Sequence, residues 1–426
     1  MLKLTIVGDI LISHPLPIKS KEFQEIKNLF SESDCIIGNL ETTIHEKEGY
    51  PAAFPGGGYT MASPTCLESL KDLGFSMFSI ANNHIMDYSE KGLLATIKHL
   101  KNHGFYFSGA GSDLAEASKA TYYDTANGRI ALLSVTSSFH DSYAAGPANC
   151  DICGRPGVAP LRHKALYHIT ESQYKALLDI ANQTGINSYH NQAIKEGYLA
   201  ELQNFKFGNY EFKKSKKVFV ETTPHNIDLK RTIDSILEAK SKSDLVVISI
   251  HSHQFKEDKS KSPQFIEIFC RECINAGADI IVCTGPHILR GIEKYKTGII
   301  FYGLGNFIFQ WEHQDILPEE LYLRYGTTRS LLSGPQALYR IRNNNQTKGL
   351  ATQPEVWESI IVQLEYGDKL EKATMIPIQI HLNEKHGMTG LPFISYSNNI
   401  AKRINQMSLP YGTTMQFEEG RININL

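Results

Sequence analysis

The chain has 426 residues, of which 42% are hydrophobic and 21% are charged, and its formal net charge at pH 7 is −2. The apolar fraction is ample for a core, which excludes disorder throughout the chain. The balanced charge excludes a general basic field for nucleic acid and a cationic membrane-binding surface. No stretch reaches the roughly 18 apolar residues of a membrane span. The first residues lack the features of a signal peptide, which predicts a cytoplasmic protein.

Apolar runs and turn signals alternate along the N-terminal half. They predict strands and helices in the order strand 2–9, helix 20–31, strand 35–41, helix 64–73, strand 75–81, helix 89–102, strand 105–108, helical turn 113–118 and strand hairpin 120–135. An irregular loop follows over 136–163, and residues 163–204 have mainly helical character. Loop and helices together predict an insertion over about 136–215.

The second half returns to alternating elements. Its predicted elements are strand 218–221, helix 224–241, strand 244–251, helix 263–276, strands 279–283, 289–294 and 298–303, a polar insertion at 311–355, strands 356–364 and 372–382, and helix 395–407. This order predicts an α/β fold. Residues 1–310 would form the main domain, and residues 311–426 would complete the same domain.

Polar side chains follow several predicted strands directly. They are Asp9, Asn39 with Glu41, Asn82 with Asn83 and His84, His251 with His253, and His287. In open α/β sheets, ligands bind beyond the carboxyl ends of the strands, so we expect these groups to share one cleft. Carboxylate, amide and imidazole ligands together suit Mn, Fe or Zn. The same side chains without a metal form a set of acids and bases.

The seven cysteines are a sparse, odd-numbered set, which excludes a disulfide framework. Cys150 with Cys153 and Cys270 with Cys273 have C-x-x-C spacing, and four such thiolates could hold a structural zinc ion. The two pairs are far apart in the chain, and the second lies in a predicted helix. Chance spacing is therefore the favoured explanation.

Five segments resemble motifs of the CapA family, the capsule and poly-γ-glutamate biosynthesis group within the calcineurin-like metallophosphatase superfamily. They are G-D-I at 8–10, G-N-L-E-T at 38–42, A-N-N-H-I-M-D-Y at 81–88, A-D-I-I-V-C-T-G-P-H-I-L-R-G-I-E at 278–293 and F-Y-G-L-G-N-F-I-F at 301–309. The loop G-R-P-G-V-A-P-L-R at 154–162 also resembles one found in many soluble members. The resemblance covers about residues 3–310. It implies a four-layer αββα metallophosphatase-like sandwich, here with a helical insertion and a C-terminal extension.

The resemblance also implies roles for individual residues. The expected metal ligands are Asp9, Glu41, Asn83, His251 and His287, with His253 as a replacement ligand. The expected catalytic residues are Asp9, His84 and His287. Planar guanidinium groups match carboxylates bidentately, so Arg155 and Arg162, together with Asn306, are expected to bind substrate. Ordinary surface arginines are the alternative explanation for the first two.

The chain departs from the family pattern at several positions. Leu11 stands where the first metallophosphatase motif has histidine, and Thr284 replaces one histidine of the H-G-P-H element. Ser252-His253 stands where W-G is common, and Ala159 where asparagine is common. Because lost ligands lower metal affinity sharply, these changes predict weak or absent binding of two ions. The expected cofactor is one divalent metal ion (Mn, Fe or Zn), with a metal-free site as the alternative.

These observations favour an enzyme that acts on a peptide or poly-γ-glutamate backbone. Two reactions fit, namely epimerisation by acid–base chemistry at Cα and hydrolysis of the amide bond. The alternatives are a metal-dependent phosphoesterase and a non-catalytic accessory protein of a polyglutamate synthase complex. The expected partner is the peptide or polyglutamate substrate. The sequence leaves the oligomeric state open.

Overall fold

The computed structural model describes residues 1–332, 334–382 and 387–426, and it has the mixed α/β character that the sequence predicts. The helices are α1 (Lys21–Phe30), α2 (Thr65–Leu73), α3 (Ser89–Asn102), α4 (Leu114–Ser118), α5 (Glu171–Thr184), α6 (Ser188–Lys195), α7 (Asn226–Lys240), α8 (Gln264–Asn275), α9 (Glu319–Arg324), α10 (Pro335–Arg342) and α11 (Asn398–Ser408).

The strands of the first half are β1 (Leu2–Leu11), β2 (Cys35–Leu40), β3 (Thr43–Ile44), β4 (Met61–Ala62), β5 (Met77–Ser79), β6 (Tyr106–Ser108), β7 (Ala110–Gly111), β8 (Thr121–Thr125), β9 (Gly128–Thr136), β10 (Gly157–Val158), β11 (His163–Ile169), β12 (Phe205–Phe207) and β13 (Tyr210–Lys214). Those of the second half are β14 (Phe219–Pro224), β15 (Leu245–His251), β16 (Ile280–Thr284), β17 (Ile292–Tyr295), β18 (Gly298–Phe301), β19 (Asn306–Phe309), β20 (Glu358–Tyr366), β21 (Leu370–Ile380), β22 (Pro392–Ile394), β23 (Met415–Glu418) and β24 (Arg421–Ile424).

Two large mixed sheets dominate the described part of the chain. The first has the order β23-β24-β21-β20-β1-β2-β5-β6, with β19 also pairing with β1 and β22 with β21. Strand β1 runs parallel to β2 and β19 and antiparallel to β20. The second sheet has the order β17-β18-β16-β15-β9-β8, and its strands β9, β15, β16 and β18 are parallel. Both sheets therefore contain parallel strands whose carboxyl ends can carry a site.

The two sheets share one buried core. It joins Leu4 and Ile6 of β1 to Ile130 of β9, Val247 of β15 and Ile280 of β16. A second cluster packs the first sheet against α1, α2 and α3, and a third packs the second sheet against α7 and α8. Because strands such as β15 are buried on both faces, their sequences are continuous apolar runs rather than alternating ones. Each large apolar side chain buried in this way contributes roughly 1.5–3 kcal/mol.

The structure corrects the mainly helical assignment of residues 163–204. Only α5 and α6 are helical there, whereas β11 pairs antiparallel with β14 and parallel with β13 in a separate four-stranded sheet. His163 stacks on Phe265 and His168 stacks on Phe219, with ring centroids 4.1 Å apart in both pairs. These contacts join residues far apart in sequence. The local preference for helix takes no account of these contacts, and strand pairing in the folded protein outweighs that preference.

The C-terminal segment supplies strands to the first sheet, since β20 pairs with β1 and β21 pairs with β20. The stretch predicted as a polar insertion contains α9 and α10. Their residues Leu321 and Leu338 are buried in a cluster with Tyr59 and Tyr88. The hairpin of β23 and β24 was not predicted from the sequence. None of the helices in the described part of the chain combines the length and apolar character needed to cross a membrane.

Candidate active site

Asp9 lies near the end of β1, where the pairing with β2 and β19 shifts register. A bulge of this kind re-aims the side chains beside it. The residue before it must be small, because a Cβ on Gly8 would lie 1.9 Å from the carbonyl oxygen of Gly305. The close approach lets the Asp9 amide donate to that oxygen at 3.0 Å. The sequence Gly8-Asp9 therefore places a buried carboxylate at the junction of β1 and β19.

Glu41 lies at the centre of the polar residues that follow the strands. Its Oε1 is 3.5 Å from Nε2 of His251, 3.9 Å from Nε2 of His253 and 3.8 Å from Nε2 of His287. Asp9 adds a second carboxylate, with its Oδ2 3.6 Å from Nδ1 of His287. Two strand ends of the first sheet and two of the second thus converge on one small volume, as expected from the positions of these residues after their strands.

The two carboxylates differ in how the chain satisfies them. Asp9 accepts hydrogen bonds from Nδ2 of Asn39 at 2.8 Å and from the Gly285 amide at 3.0 Å. Glu41 is fully buried, and neither of its oxygens has a hydrogen-bond partner among the described residues. Burial raises the pKa of Glu41 well above its usual value, and Asp9 raises it further. Burial also raises the pKa of Asp9, to about 6. Glu41 therefore lacks the donor or cation that a buried carboxylate requires.

His251 ends β15 and is held on both ring nitrogens. Its Nδ1 lies 3.0 Å from Oγ1 of Thr284, and its Nε2 lies 2.8 Å from Oδ1 of Asn83. Burial lowers the pKa of His251 well below its usual value, which favours the neutral ring. Because Oδ1 of Asn83 can only accept, Nε2 of His251 carries the ring proton, and Oγ1 of Thr284 and Nδ2 of Asn39 are placed to donate to Nδ1.

His287 follows β16 in a left-handed backbone conformation, with φ of 58°. This conformation is costly for a non-glycine residue and is concentrated at functional sites. Nδ1 of His287 lies 2.8 Å from Oδ1 of Asn306, whose own amide nitrogen donates to the Val356 carbonyl. That fixed acceptor places the ring proton on Nδ1 and leaves Nε2 as a free acceptor facing Glu41. Burial lowers the pKa of His287 to about 3, which keeps the ring neutral.

His84 forms a buried pair with Asp87, with 2.7 Å between Nδ1 and Oδ2. Asp87 also accepts hydrogen bonds from the amides of Gly56 and Thr60. Behind the pair, Oδ1 of Asn82 accepts from the amide of His84. The carboxylate orients the ring and supports a proton on Nδ1, so Nε2 is the atom available for proton transfer.

Two groups of three side chains have the spacing of a shared ion. They are Asp9 with Glu41 and His287, and Glu41 with His251 and His253, and the ligand atoms in each group lie within 4.8 Å of one another. Ligands at roughly 2.1 Å from one ion lie at most about 4.2 Å apart, so small side-chain adjustments close both groups. The unpartnered oxygens of Glu41 belong to both. Both groups consist of carboxylates and imidazoles, which fit a divalent cation.

The profile of the bacterial capsule synthesis protein family PGA_cap matches residues 3–311. The chain belongs to this family. It is 28% identical over 431 aligned residues to the uncharacterized protein y4sH of Sinorhizobium fredii, a match that covers 97% of this chain and 90% of the relative. It is 26% identical to the capsule biosynthesis protein CapA of Bacillus anthracis and to the PGA biosynthesis protein CapA of Bacillus subtilis. Both matches cover 72% of this chain, with 60% and 63% of the respective relatives.

In this PGA_cap chain, the residues predicted to bind substrate make contacts within the protein. Arg162 donates from Nε and Nη2 to the two carboxylate oxygens of Asp228, so its fork already holds a carboxylate of the chain. Arg155 donates from Nε to the Ala144 carbonyl. Asn306 orients His287. The chain thus gives each of the three a structural partner.

Several residues of this PGA_cap site were missed from the sequence. Asp87 follows His84 by three residues, and this short spacing was the available signal. Thr284 was counted only as a lost ligand, although it lies against His251. His253 was expected to compensate for lost ligands, and its ring centroid lies 5.2 Å from that of His287. Its side chain is 35% exposed, which makes it the most open of the clustered histidines.

Of the cysteine pairs, Cys150 and Cys153 are exposed, whereas Cys270 and Cys273 are buried in α8. Sγ of Cys270 lies 3.9 Å from Sγ of Cys283. The second pair therefore packs in the core around β16, which accords with chance spacing rather than a shared zinc site.

Proposed function

We propose that this protein is an enzyme of capsule or polyglutamate metabolism that hydrolyses an amide bond of a peptide or poly-γ-glutamate backbone with the help of a divalent metal ion. The observation that carries the proposal is the buried Glu41 carboxylate, which has no donor among the described residues and faces three histidines. The family relationship supports the substrate class, since the Bacillus relatives are named for capsule and PGA biosynthesis.

The ligands of one ion would be Asp9, Glu41 and His287, and Glu41 with His251 and His253 offers an adjoining position. A cation there offsets the charge of two buried carboxylates, which otherwise makes their ionisation costly. When bound, such an ion polarises a carbonyl group and lowers the pKa of water. His253 takes the role of the ligand that Leu11 and Thr284 do not provide. The two large sheets, with helices packed on their outer faces, support assignment to the four-layer metallophosphatase sandwiches.

The chain's own residues divide the work around this centre. Asn306 and Thr284 hold His287 and His251 in fixed orientations, which keeps their side chains ready as ligands. His84, oriented by Asp87, presents Nε2 as the group that returns a proton to the leaving amine. The contact of the His84 ring with Trp311, with centroids 5.1 Å apart, limits access of bulk water on that side.

The test uses purified protein, Mn²⁺ or Zn²⁺, and two substrates, poly-γ-glutamate and an α-linked glutamyl peptide, in heavy water. We expect amide cleavage that requires the metal and falls by at least about a hundredfold in Glu41→Gln and His84→Ala. The matched control is His103→Asn, a change at the end of α3. Elemental analysis counts the ions retained by each variant.

The other outcomes separate the alternatives. Deuterium exchange at Cα without cleavage replaces hydrolysis by epimerisation. Hydrolysis of p-nitrophenyl phosphate with no action on peptides replaces it by a phosphoesterase. If none of these three reactions occurs with any of the metals, the protein is a non-catalytic accessory component, and the proposed activity is wrong.

A further inference from the structure

A cavity of about 310 Å³ is lined by residues between Phe309 and Thr389. Three aromatic side chains, Phe309, Trp311 and Trp357, form part of its lining. This volume lies at the lower end of the range for small-molecule sites, roughly 300–1,000 Å³, so the cavity suits a single large side chain rather than a long polymer.

Two of these aromatic side chains contact histidines of the proposed site. The ring of Phe309 contacts those of His287 and Trp357, with ring centroids 5.7 Å and 5.5 Å away respectively. Trp311 lies against His84, with ring centroids 5.1 Å apart. Phe309 therefore contacts a candidate metal ligand, and Trp311 contacts the proposed proton-transfer residue. A group in this cavity would therefore lie one aromatic ring away from the histidine cluster.

The cavity is built into the fold. Nε1 of Trp357 donates to the Ala351 carbonyl at 2.9 Å, which fixes the indole ring. Behind the walls, Leu11 packs in one buried apolar cluster with Phe309 and Trp311. The apolar surface beside the site therefore extends to Leu11.

The polar part of the lining includes one imidazole, that of His313, and one carboxylate, that of Glu312, which disfavours an acidic occupant. Glu312 lines the cavity, and Nδ2 of Asn343 donates to its carboxylate. A second carboxylate beside this acid and against the aromatic walls would be repelled and poorly solvated. Arg342 lies over the ring of Trp311, 5.1 Å from its centroid, and offsets part of this charge. An apolar side chain meets neither difficulty.

We propose that this cavity is a specificity subsite for a large apolar or aromatic side chain adjacent to the reacting amide, so that the substrate is a peptide of mixed composition rather than a polymer of glutamate alone. This inference rests on the proposed function, because the reacting bond is placed at the histidine cluster. The apolar walls gain free energy by covering such a side chain, whereas the side chain of alanine leaves most of the cavity empty.

Intrinsic fluorescence tests the proposal directly, because Trp311 and Trp357 are the two tryptophans of the chain. The probes are γ-glutamyl-leucine, γ-glutamyl-alanine and γ-glutamyl-glutamate, none of which fluoresces. We expect γ-glutamyl-leucine to shift the emission and to bind at least about tenfold more tightly than the other two. Equal affinities, or tighter binding of γ-glutamyl-glutamate through Arg342, would overturn the proposal.

Variants locate the signal and guard against misfolding. In Trp357→Phe, which keeps an aromatic wall, the leucine preference should remain and report through Trp311 alone. In Trp357→Ala, the preference should fall to about one, with an unchanged far-UV spectrum as the check on folding. An unaltered preference in Trp357→Ala contradicts the subsite.

The same peptides separate this inference from the proposed function. Metal-dependent turnover of all three dipeptides with equal kcat/KM rejects the subsite and leaves the hydrolase intact. Tight binding of γ-glutamyl-leucine without turnover under any metal keeps the subsite and rejects the hydrolase.

Discussion

Two fully buried carboxylates in this protein have opposite surroundings. Asp228, in the first turn of α7, accepts hydrogen bonds from the Arg162 amide, from Nε and Nη2 of Arg162 and from Nη1 of Arg231. Glu41 accepts none among the described residues. Burial works to raise the pKa of Asp228, but the bonds from Arg162 outweigh it and the pKa is lowered. Burial raises the pKa of Glu41, and no donor opposes it.

The difference separates a structural ion pair from a binding site. Burying a charge is costly, and the hydrogen bonds from Arg162 and Arg231 offset that cost for Asp228. Glu41 has no such partner in the part of the chain that the structure describes. Its burial therefore stays costly unless a group from outside the chain, such as a metal ion, interacts with its carboxylate. Both carboxylates lie near arginine or histidine side chains. What differs is the number of donors that reach them.

The largest effect is expected from a substitution at Glu41, the carboxylate without a hydrogen-bond partner among the described residues. Replacing it by glutamine removes the charge that a metal ion would neutralise, so turnover of the amide substrate should fall by at least about a hundredfold. The same change should not lower the free energy of unfolding of chelator-treated protein, because it removes a buried carboxyl group that has no hydrogen-bond partner among the described residues. Urea denaturation and an activity assay measure both effects. Unchanged turnover would show that Glu41 is not part of the site.

Added metal should stabilise only the protein in which Glu41 is intact. At a free Mn²⁺ or Zn²⁺ concentration about a hundred times Kd, binding to the folded state adds about 2.7 kcal/mol. Thermal unfolding with and without a chelator measures this shift. Asp228→Asn is the matched control and should keep the full shift, whereas Glu41→Gln should lose most of it. An equal shift in both variants would place the metal elsewhere.

Asp228→Asn should destabilise the protein without affecting chemistry. We expect a loss of ~2 kcal/mol, less than the roughly 3–5 kcal/mol for breaking a wholly buried pair, because the Arg162 side chain is 44% exposed. Urea denaturation gives the loss, and kcat/KM per folded molecule should equal that of the wild type. A drop in kcat/KM at full folding would instead give Arg162 and Asp228 a role in substrate binding.

His45 extends the comparison to a buried base, and its effect should be the smallest. It is buried, with neither ring nitrogen hydrogen-bonded among the described residues, and burial lowers its pKa. The folded state thus binds fewer protons than the unfolded state below the ordinary pKa of about 6.5. Stability should therefore be lost as pH falls through that value. Stability curves of the wild type and His45→Gln between pH 8 and 5 should diverge on the acid side, and parallel curves would contradict this.

The sequence predicted most elements of the two large sheets because these strands are continuous apolar runs, as in Leu245–His251. It failed at β11, where partners far along the chain, such as Phe219 and Phe265, decide the conformation. It also took residues 311–355 as merely polar. Leu321 and Leu338 in that stretch pack in one buried cluster with Tyr59 and Tyr88. The local sequence pattern does not predict this contact, because the partners lie far apart in the chain.

For the site, residue type and position after a strand were enough to select Asp9, Glu41, His84, His251 and His287. Parallel strands deliver their carboxyl ends to a common edge, so such residues can be expected to meet. The pairing of His84 with Asp87 was open to prediction from their spacing. The contact of Thr284 with His251 was not, since it joins two strands through a side chain whose type alone suggests no role.

What the amino-acid sequence determined by itself was the family, most of the order of strands and helices, and the residues that can act as ligands, acids or bases. These follow from local pattern and side-chain chemistry. Only the tertiary structure decided which polar groups are already satisfied. Arg162 and Glu41 were both candidates, yet the fold brings two arginines to Asp228 and no donor of its described residues to Glu41. Hydrogen bonding depends on atoms that are distant in sequence and separated by less than 3.5 Å in space, so only the folded chain settles it.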